Sequence, residues 1–369
     1  MTTDQLAPAT TTTSLADLPP SVWALIRTSQ DLYLHERWLR VEQDAHPNAS
    51  FHAWAQDEGH AAYAPAYRFD ADDNPWAASR LDLFLAAHAD LETGPAVLPN
   101  YLLGGRRPGH SQILCDAPAP RRRTLLTQVV GAAAETAAAA GAATLAALYC
   151  DRDDEDLAAA FRAHGAVRLP SPGLNVLHLP GTSFDDWLAS MPNRRRTNVN
   201  AERRKLAHAG VTIELRPLTS DDLDEILPLE LDQYEKYGHH YRHTEARALH
   251  EAYLRHLGED ALLVRAHLDG RLVAFASIVR HGRSAYIRQG GFDAVASDGA
   301  PVYFGTVFHQ PIAWAYRVGV DSIDLSISAD ATKQHRRAVT RPRDAWVVPM
   351  TDEAERALRR WPGMEQVQR

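Results

Sequence analysis

The chain has 369 residues, 45% hydrophobic and 23% charged, with a formal net charge of −8 and an isoelectric point near 6.1. That length points to about two domains of roughly 150–200 residues, and the acidic balance excludes a protein that coats nucleic acid through bulk charge, leaving room for a local basic site. Its only cysteines, Cys115 and Cys150, are too few for a disulfide framework and lack the CxxC spacing of a zinc ribbon.

In chain order, residues 1–18 are rich in Thr, Ala and Pro and read as a disordered tail. They have no basic start and no apolar core, and no apolar run nears the ~18 residues of a membrane helix. The expectation is a cytoplasmic protein with no membrane span. SVWALIRTSQDLYLHERWLRVEQD reads as one helix, and a looser Ala-, Asp- and His-rich stretch follows from about His46 to Asp73. LDLFLAA and AVLPNYLLGG read as strands ending at the Gly104-Gly105 turn. RRRTLLTQVVGAAAETAAAAGAA predicts an Ala-rich helix stopped near Gly141 and feeding the strand TLAALYC. DDEDLAAAFRAHG is a helix, GLNVLHLP a strand, and SFDDWLASM a helix capped by Ser183.

The second half repeats the alternation. VTIELRPL is a strand, LTSDDLDEILPLELDQYEKYG a helix capped at Thr219 or Ser220, and TEARALHEAYLRHLG another helix. Asp269-Gly270 and His281-Gly282 divide ALLVRAHLDGRLVAFASIVRHGRSAYIRQGGF into a three-strand meander. VYFGTVFHQPIAWAYRVG is a helix ended by Gly319, DSIDLSIS a strand, and AWVVP a short final strand. Helix, Gly stop and strand recur in both halves, which suggests an internal duplication.

NRRRTNVNAERRKLAHAG places six Arg or Lys residues between Arg194 and Lys205 of an otherwise acidic chain. At about 100° per residue, Arg195, Val199, Glu202 and Leu206 share one face, with Arg196, Arg203 and Arg204 directed elsewhere. The apolar pair marks that face as packed, so an inward Arg195 and Glu202 need partners. The run is either a solvated basic face or a phosphate-contacting helix, which Arg106, Arg107 and Arg121 to Arg123 could extend.

This order of elements, closed by ADATKQHRRA, resembles the FemAB-like branch of the acetyltransferase-fold (GNAT) superfamily. In that branch two such domains are fused, and an acyl or aminoacyl group is joined to an amine. The match is best from Met191 to Pro349. The resemblance implies a tandem α/β protein of mixed sheets flanked by helices. Its parts are a degenerate N-terminal domain over 19–190, a catalytic domain over 191–350 and a C-terminal tail over 351–369. It also implies a monomer without a resident cofactor, using aminoacyl-tRNA or acyl-CoA as co-substrate. Acetyl-CoA enzymes of this fold carry a [QR]xxGx[GA] loop leading into a helix, where amides and the helix dipole hold the pyrophosphate. Here Arg288-Gln289-Gly290-Gly291-Phe292-Asp293 ends in Asp, although Gly299-Ala300 could form an anion nest. The resemblance therefore favours an aminoacyl-tRNA donor and a peptide or small-molecule amine acceptor. An acyl-CoA N-acetyltransferase and a catalytically inactive module that binds peptide or RNA are the alternatives.

By the same resemblance Lys333 follows the strand end and would stabilise the oxyanion of acyl transfer, with Asp324, His309 and Glu230 as candidate bases. Arg195, Arg196, Arg203, Arg204 and Arg337 are candidate donor or phosphate contacts, and Arg336 would extend the same edge. Tyr234, Tyr237, Tyr241, Arg288, Gln289 and Tyr303 are candidate substrate contacts. His239, His240, His243, His250 and His256 crowd the same region, but without cysteine ligands no metal site is expected. No GxSxG, GxxxxGK[ST] or GxGxxG motif supports a hydrolase, NTPase or dehydrogenase.

Overall fold

A computed structural model of the chain describes residues 9–46, 50–72, 79–239, 241–297 and 299–361. Its strands in chain order are β1 (Thr10–Thr12), β2 (Ser50–Asp57), β3 (His60–Phe69), β4 (Asn100–Leu103), β5 (Leu114–Cys115), β6 (Thr144–Asp151) and β7 (Val167–His178). Then come β8 (Thr212–Pro217), β9 (Ala261–Leu268), β10 (Arg271–His281), β11 (Ser284–Phe292), β12 (Ser322–Asp324) and β13 (Val339–Pro349). The chain divides into two compact units: Met1–Leu39, Pro47–Gly173 and Pro342–Arg369 form the first, and Arg40–His46 with Leu174–Arg341 form the second. The division falls at Gly173/Leu174 rather than at residue 190, because β7 and β13 each begin in one unit and end in the other.

In the first unit the strand order is β1-β2-β3-β4-β6-β13, with β5 on β3. The helix Arg121–Ala139 lays Leu125, Val129, Val130, Ala133 and Ala137 on this sheet. The sheet offers mostly alanines there, among them Ala53, Ala55, Ala62 and Ala64, so helix and strands approach closely. Four expectations are corrected. The tail is ordered from Thr10, where β1 pairs with β2 and Leu15 and Leu18 enter the core. The looser stretch holds the β2–β3 hairpin, whose alanines pack rather than loop. LDLFLAA is a helix, Leu81–Ala89, and SVWALIRTSQDLYLHERWLRVEQD is two helices, Pro20–Arg27 and Glu36–Ala45. The C-terminal tail carries the helix Asp352–Leu358, capped by Thr351; residues 362–369, like residues 1–8, lie outside the described residues.

The second unit has the order β7-β12-β11-β10-β9-β8. Both predicted hairpin turns form. Asp269 and Gly270 take positive φ (51° and 77°) between β9 and β10, and Gly282 (56°) turns β10 into β11, matching the right-handed twist of the strands. Ser183 caps Phe184–Ala189 by accepting from the Asp186 amide, and Thr219 with Asp222 makes a capping box ahead of the helix Leu223–Lys236.

Val302–Phe304, Gly305–His309 and Gln310–Val318 form one helical run whose middle turn is a π turn, a local widening common at functional sites. Phe308, Ile312 and Ala315 from it pack with Ile278, Ala285 and Ile323 of the sheet. Gly305 lets Ile213 and Leu206 pack close to the run, since a Cβ would lie 2.4 Å from Ile213 Cδ1 and 3.0 Å from Leu206 Cδ1 and would make those side-chain ends shift. The helix Asn193–His208 buries Val199 and Leu206 and leaves most of its cations outside.

Candidate active site

The centre of the second unit is a splay between strands. β11 and β12 run parallel but pair only from Ser284–Ser322 to Tyr286–Asp324. Beyond Asp324 the chain follows β7 instead, with the Asn175 amide donating to Ser326 O and the Leu325 amide to Asn175 O. Among the described residues, Ile287 to Phe292 therefore has β10 on one side and no strand on the other. On the β10 side, Ala276 opposes Gly290 and Ile278 opposes Ile287, so Arg288 and Gln289 together face Ser277. That is a bulge, which bends the strand and re-aims its side chains.

Gln289 is buried at the bulge, its Oε1 accepting from Tyr253 Oη at 3.1 Å and Ser277 Oγ at 3.0 Å. Arg288 is half-buried and acts electrostatically on Tyr234, whose hydroxyl burial and the nearby Glu230 raise above its ordinary pKa. The Tyr234 and Tyr241 rings lie 4.9 Å apart. Tyr237 is 65% exposed, and burial raises Tyr303, with Tyr237 contributing. Tyr303 packs its ring 5.2 Å from Phe292. Of these candidate substrate contacts, Tyr234 lies on the helix Leu223–Lys236, Tyr237 and Tyr241 on the connection after it, Arg288 and Gln289 on β11, and Tyr303 at the start of the helical run from Val302. Glu230 and His250 form a fully buried pair at 2.6 Å, so Glu230 has a fixed partner and no exposure. Among the described residues no three His, Cys, Asp or Glu side chains gather as a metal site; His240 lies outside the described residues.

At the other end of the splay the candidates have partners that sequence reasoning did not foresee. Lys333, on the short helix Asp330–Gln334, is 5% exposed and donates to Ile327 O at 2.7 Å and Ser326 O at 3.3 Å. Burial lowers its pKa to about 8 against the opposing pull of Asp324 and Asp330. The segment it holds is strained, with Ser326, Ser328 and Ala329 at φ of 61°, 68° and 51°, a region non-glycine residues seldom occupy. Lys333, expected to stabilise the oxyanion, is here a buried brace of that loop. Asp324 accepts from the Ser326 amide at 2.7 Å and serves the same loop.

Glu202, on the inward face of the basic helix, accepts from Arg336 Nη2 at 2.6 Å. Its other oxygen lies 3.2 Å from His309 Nε2, close but not aligned for a hydrogen bond. His309 ends the π turn and is 8% exposed, with neither ring nitrogen hydrogen-bonded. Arg336 lies 3.7 Å from the Phe304 ring centroid and 5.1 Å from that of Phe308. The partner Glu202 needed is therefore Arg336 and not Arg195. Only the pattern that turned Glu202 inward hinted at this cluster.

The remaining cations divide by what they touch. Arg196 bonds the Met191 carbonyl and Asn193, and Arg203 stacks 5.0 Å over Phe184, so both act within the fold. Arg195 is half-buried and acts electrostatically on His335 and Arg336, while Arg204 and Arg337 are exposed. In the first unit Arg121, Arg122 and Arg123 pair with Asp57, Asp154 and Asp156, and Arg106 and Arg107 lie over aromatic rings. Those five add nothing free to a phosphate site.

The residue that breaks the expected phosphate loop has a defined job. Asp293 Oδ1 accepts from the amides of Val295 at 3.1 Å and Ala296 at 2.8 Å, and its Oδ2 pairs with Arg271 at 2.7 Å. A carboxylate of the chain itself thus takes the amides that precede the helix. The suggested nest is occupied too, with the Ala300 amide donating to Ser297 O.

Residues 193–334 match the family described as acetyltransferase (GNAT) domain. FemX is similar in fold, at 12% identity over 89% of this chain and 95% of that one, with a TM-score of 0.61. A tandem GNAT protein from the clavulanic acid biosynthesis pathway matches at 15% identity, 93% and 99% coverage and a TM-score of 0.54. A conserved protein of unknown function from Bacteroides thetaiotaomicron follows at 14%, 91% and 97%, and 0.53. No curated protein sequence matches. The fold is therefore that of tandem GNAT proteins such as these, and the family match falls within the second unit. Among the described residues no helix is long and apolar enough to cross a membrane.

Proposed function

We propose that this protein is an acyltransferase that moves an aminoacyl group from aminoacyl-tRNA to the amine of a peptide or small molecule. The observation that carries the choice of donor is Asp293. Its carboxylate holds the Val295 and Ala296 amides and would repel a pyrophosphate arriving there. A tRNA ester needs phosphate contacts elsewhere, and the basic helix supplies Arg194, Arg195, Arg204 and Lys205, none paired with an acid among the described residues. Arg337 is exposed on the same unit.

In this reading the acyl carbonyl sits along the open edge of β11 between Ile287 and Phe292. The acceptor amine lies toward Tyr234, Tyr241 and Arg288. The amine attacks as the neutral base, and His309, held beside Glu202, takes its proton. Lys333 and Asp324 keep the far wall of the splay in place, so that much of the rate comes from positioning. A second reading, an acyl-CoA donor, draws on the clavulanic-pathway tandem GNAT protein, whose description names AcCoA.

The test is binding of the purified protein to bulk charged tRNA and to acetyl-CoA across a salt series, with an Arg194, Arg195, Arg204→Ala variant alongside. Tight tRNA binding that falls steeply with salt and is lost in the variant supports the tRNA donor, each lost phosphate contact lowering the salt slope by about 1. Acetyl-CoA binding unchanged in the variant, without tRNA binding, establishes the second reading. Binding of tRNA with no amide formed would make the chain an RNA-binding module.

A further inference from the structure

The Gln289 carboxamide is held from one end only. Its Oε1 accepts from Tyr253 Oη (3.1 Å) and Ser277 Oγ (3.0 Å), while its own backbone amide donates to Ser277 Oγ (2.9 Å). The Ser277 hydroxyl has one proton and directs it to Oε1 rather than to the more distant Gln289 carbonyl at 3.4 Å. In this arrangement both hydroxyls donate to the oxygen end of the side chain, which makes the other end Nε2. The Nε2 end makes no hydrogen bond among the described residues and is not wholly inaccessible.

All three participants are nearly inaccessible, Tyr253 at 1%, Ser277 at 2% and Gln289 at 4%. The scaffold behind them is buried and cross-linked. Tyr253 lies one helical turn after His250, whose fully buried bond to Glu230 ties the helix His243–His256 to the helix Leu223–Lys236. The bulge opposite Ser277 presents Gln289 on the stretch of β11 whose other edge is unpaired. A buried polar network of this kind is costly unless every member is satisfied, and here Nε2 is left without a partner on a residue of the stretch of β11 that borders the splay.

We infer that the Gln289 carboxamide N–H is a preset donor to the oxygen of the carbonyl being transferred, with Ser277 and Tyr253 as the positioning residues that hold it. This rests on the acyl-transfer reading above. The acceptor nitrogen forms a bond to the acyl carbon, and the carbonyl π pair moves onto oxygen, where the N–H receives it. As the C=O re-forms, the bond to the donor's leaving oxygen or sulfur breaks, and the proton from the amine passes to that leaving atom. An amide is a neutral donor that needs no titration, and its orientation is set before substrate arrives.

The test measures amide formation by wild type and by Gln289→Glu, Ser277→Ala, Ser277→Thr and Tyr253→Phe, with kcat and KM separated and folding checked by thermal melting. Gln289→Glu keeps the shape and the acceptor oxygen but removes both N–H donors. It is expected to lower kcat by about 10²- to 10³-fold with KM little changed. Ser277→Ala and Tyr253→Phe lower kcat less, lose more together, and Ser277→Thr restores it. A folded Gln289→Glu that keeps wild-type kcat overturns the role of Gln289 alone. A wild type that makes no amide from either charged tRNA or acetyl-CoA overturns the acyl-transfer reading and this role with it.

Discussion

Glu202 and Arg336 stand 134 residues apart in the chain and meet at 2.6 Å, the carboxylate on the basic helix and the guanidinium packed against Phe304. Removing the acid strands a cation that is only 7% exposed. Breaking such a pair from one side costs more than the pair contributes, so Glu202→Ala should lose about 2–4 kcal/mol in urea unfolding, and Glu202→Gln less. Burial pushes the Glu202 pKa up, but His309 and Arg336 outweigh it and hold it below its usual value of 4.5. The native state therefore binds its proton less tightly than the unfolded chain does. The contribution is complete above the unfolded value and lost as pH falls through the lower folded one. The stability gap between wild type and Glu202→Gln should close on acidification below about pH 4.5.

How much of this could be read from sequence depended on how local the cause was. The meander, its two turns and the Ser183 and Thr219 caps follow from neighbouring residues, and they formed as expected. The helix Leu81–Ala89 did not, because LDLFLAA is too short for its apolar run to separate helix from buried strand. The β2–β3 hairpin was missed because alanines carry little strand signal and are chosen there for close packing under Arg121–Ala139. In the site, helical periodicity turned Glu202 inward, but its partner came from 134 residues away. Lys333 was found by resemblance. The carbonyls of Ser326 and Ile327 that claim it belong to a left-handed loop of non-glycine residues, which composition does not announce.

Lys333 gives a second, opposite pH dependence. Burial drops its pKa from 10.5 to about 8, so the native state resists its charge. Below pH 8 the protein carries that cost, and the cost is relieved as pH rises through the window from 8 to 10.5. A shift of this size corresponds to roughly 3 kcal/mol. Relative to Lys333→Met, which removes the titrating group, wild type should gain stability steadily between pH 8 and 10. Urea midpoints for both proteins at several pH values check this, and a pH-independent gap would mean that the amine is solvated. Because Lys333 braces Ser326 and Ile327, the same variant should also lose amide-forming activity at every pH.

The proposed disfavouring of CoA has two separable causes, occupied amides and misplaced amides, and Asp293 distinguishes them. Asp293→Gly vacates the Val295 and Ala296 amides and removes a negative charge from the loop ahead of the helix at Val302. The lost cap should cost about 1 kcal/mol, while acetyl-CoA affinity should rise about tenfold, or about 1.4 kcal/mol. Calorimetric titration of wild type and variant reads both the affinity and its salt dependence. An unchanged affinity would mean that the amides do not converge on a phosphate even when free.

Gly291 sets how close the helix Leu223–Lys236 comes to β11. A Cβ there would lie 2.4 Å from the Leu229 carbonyl oxygen and 2.5 Å from its carbon, and both are backbone atoms that no rotamer change can move. Gly291→Ala must therefore push the helix off the strand or bend β11 next to the bulge at Arg288 and Gln289. Overpacking of this kind costs about 1–3 kcal/mol. Because Tyr234 and Glu230 ride on the displaced helix while Gln289 stays on the strand, activity should fall further than stability does. Thermal melts and kcat/KM of Gly291→Ala measure the two losses. As a control, Gly270→Ala changes a turn with open space around it, so it should lower the melting temperature through its positive φ and leave kcat/KM unchanged. If Gly291→Ala instead lost stability with kcat/KM intact, the spacing between helix and β11 would not be what aligns the acceptor with the splay.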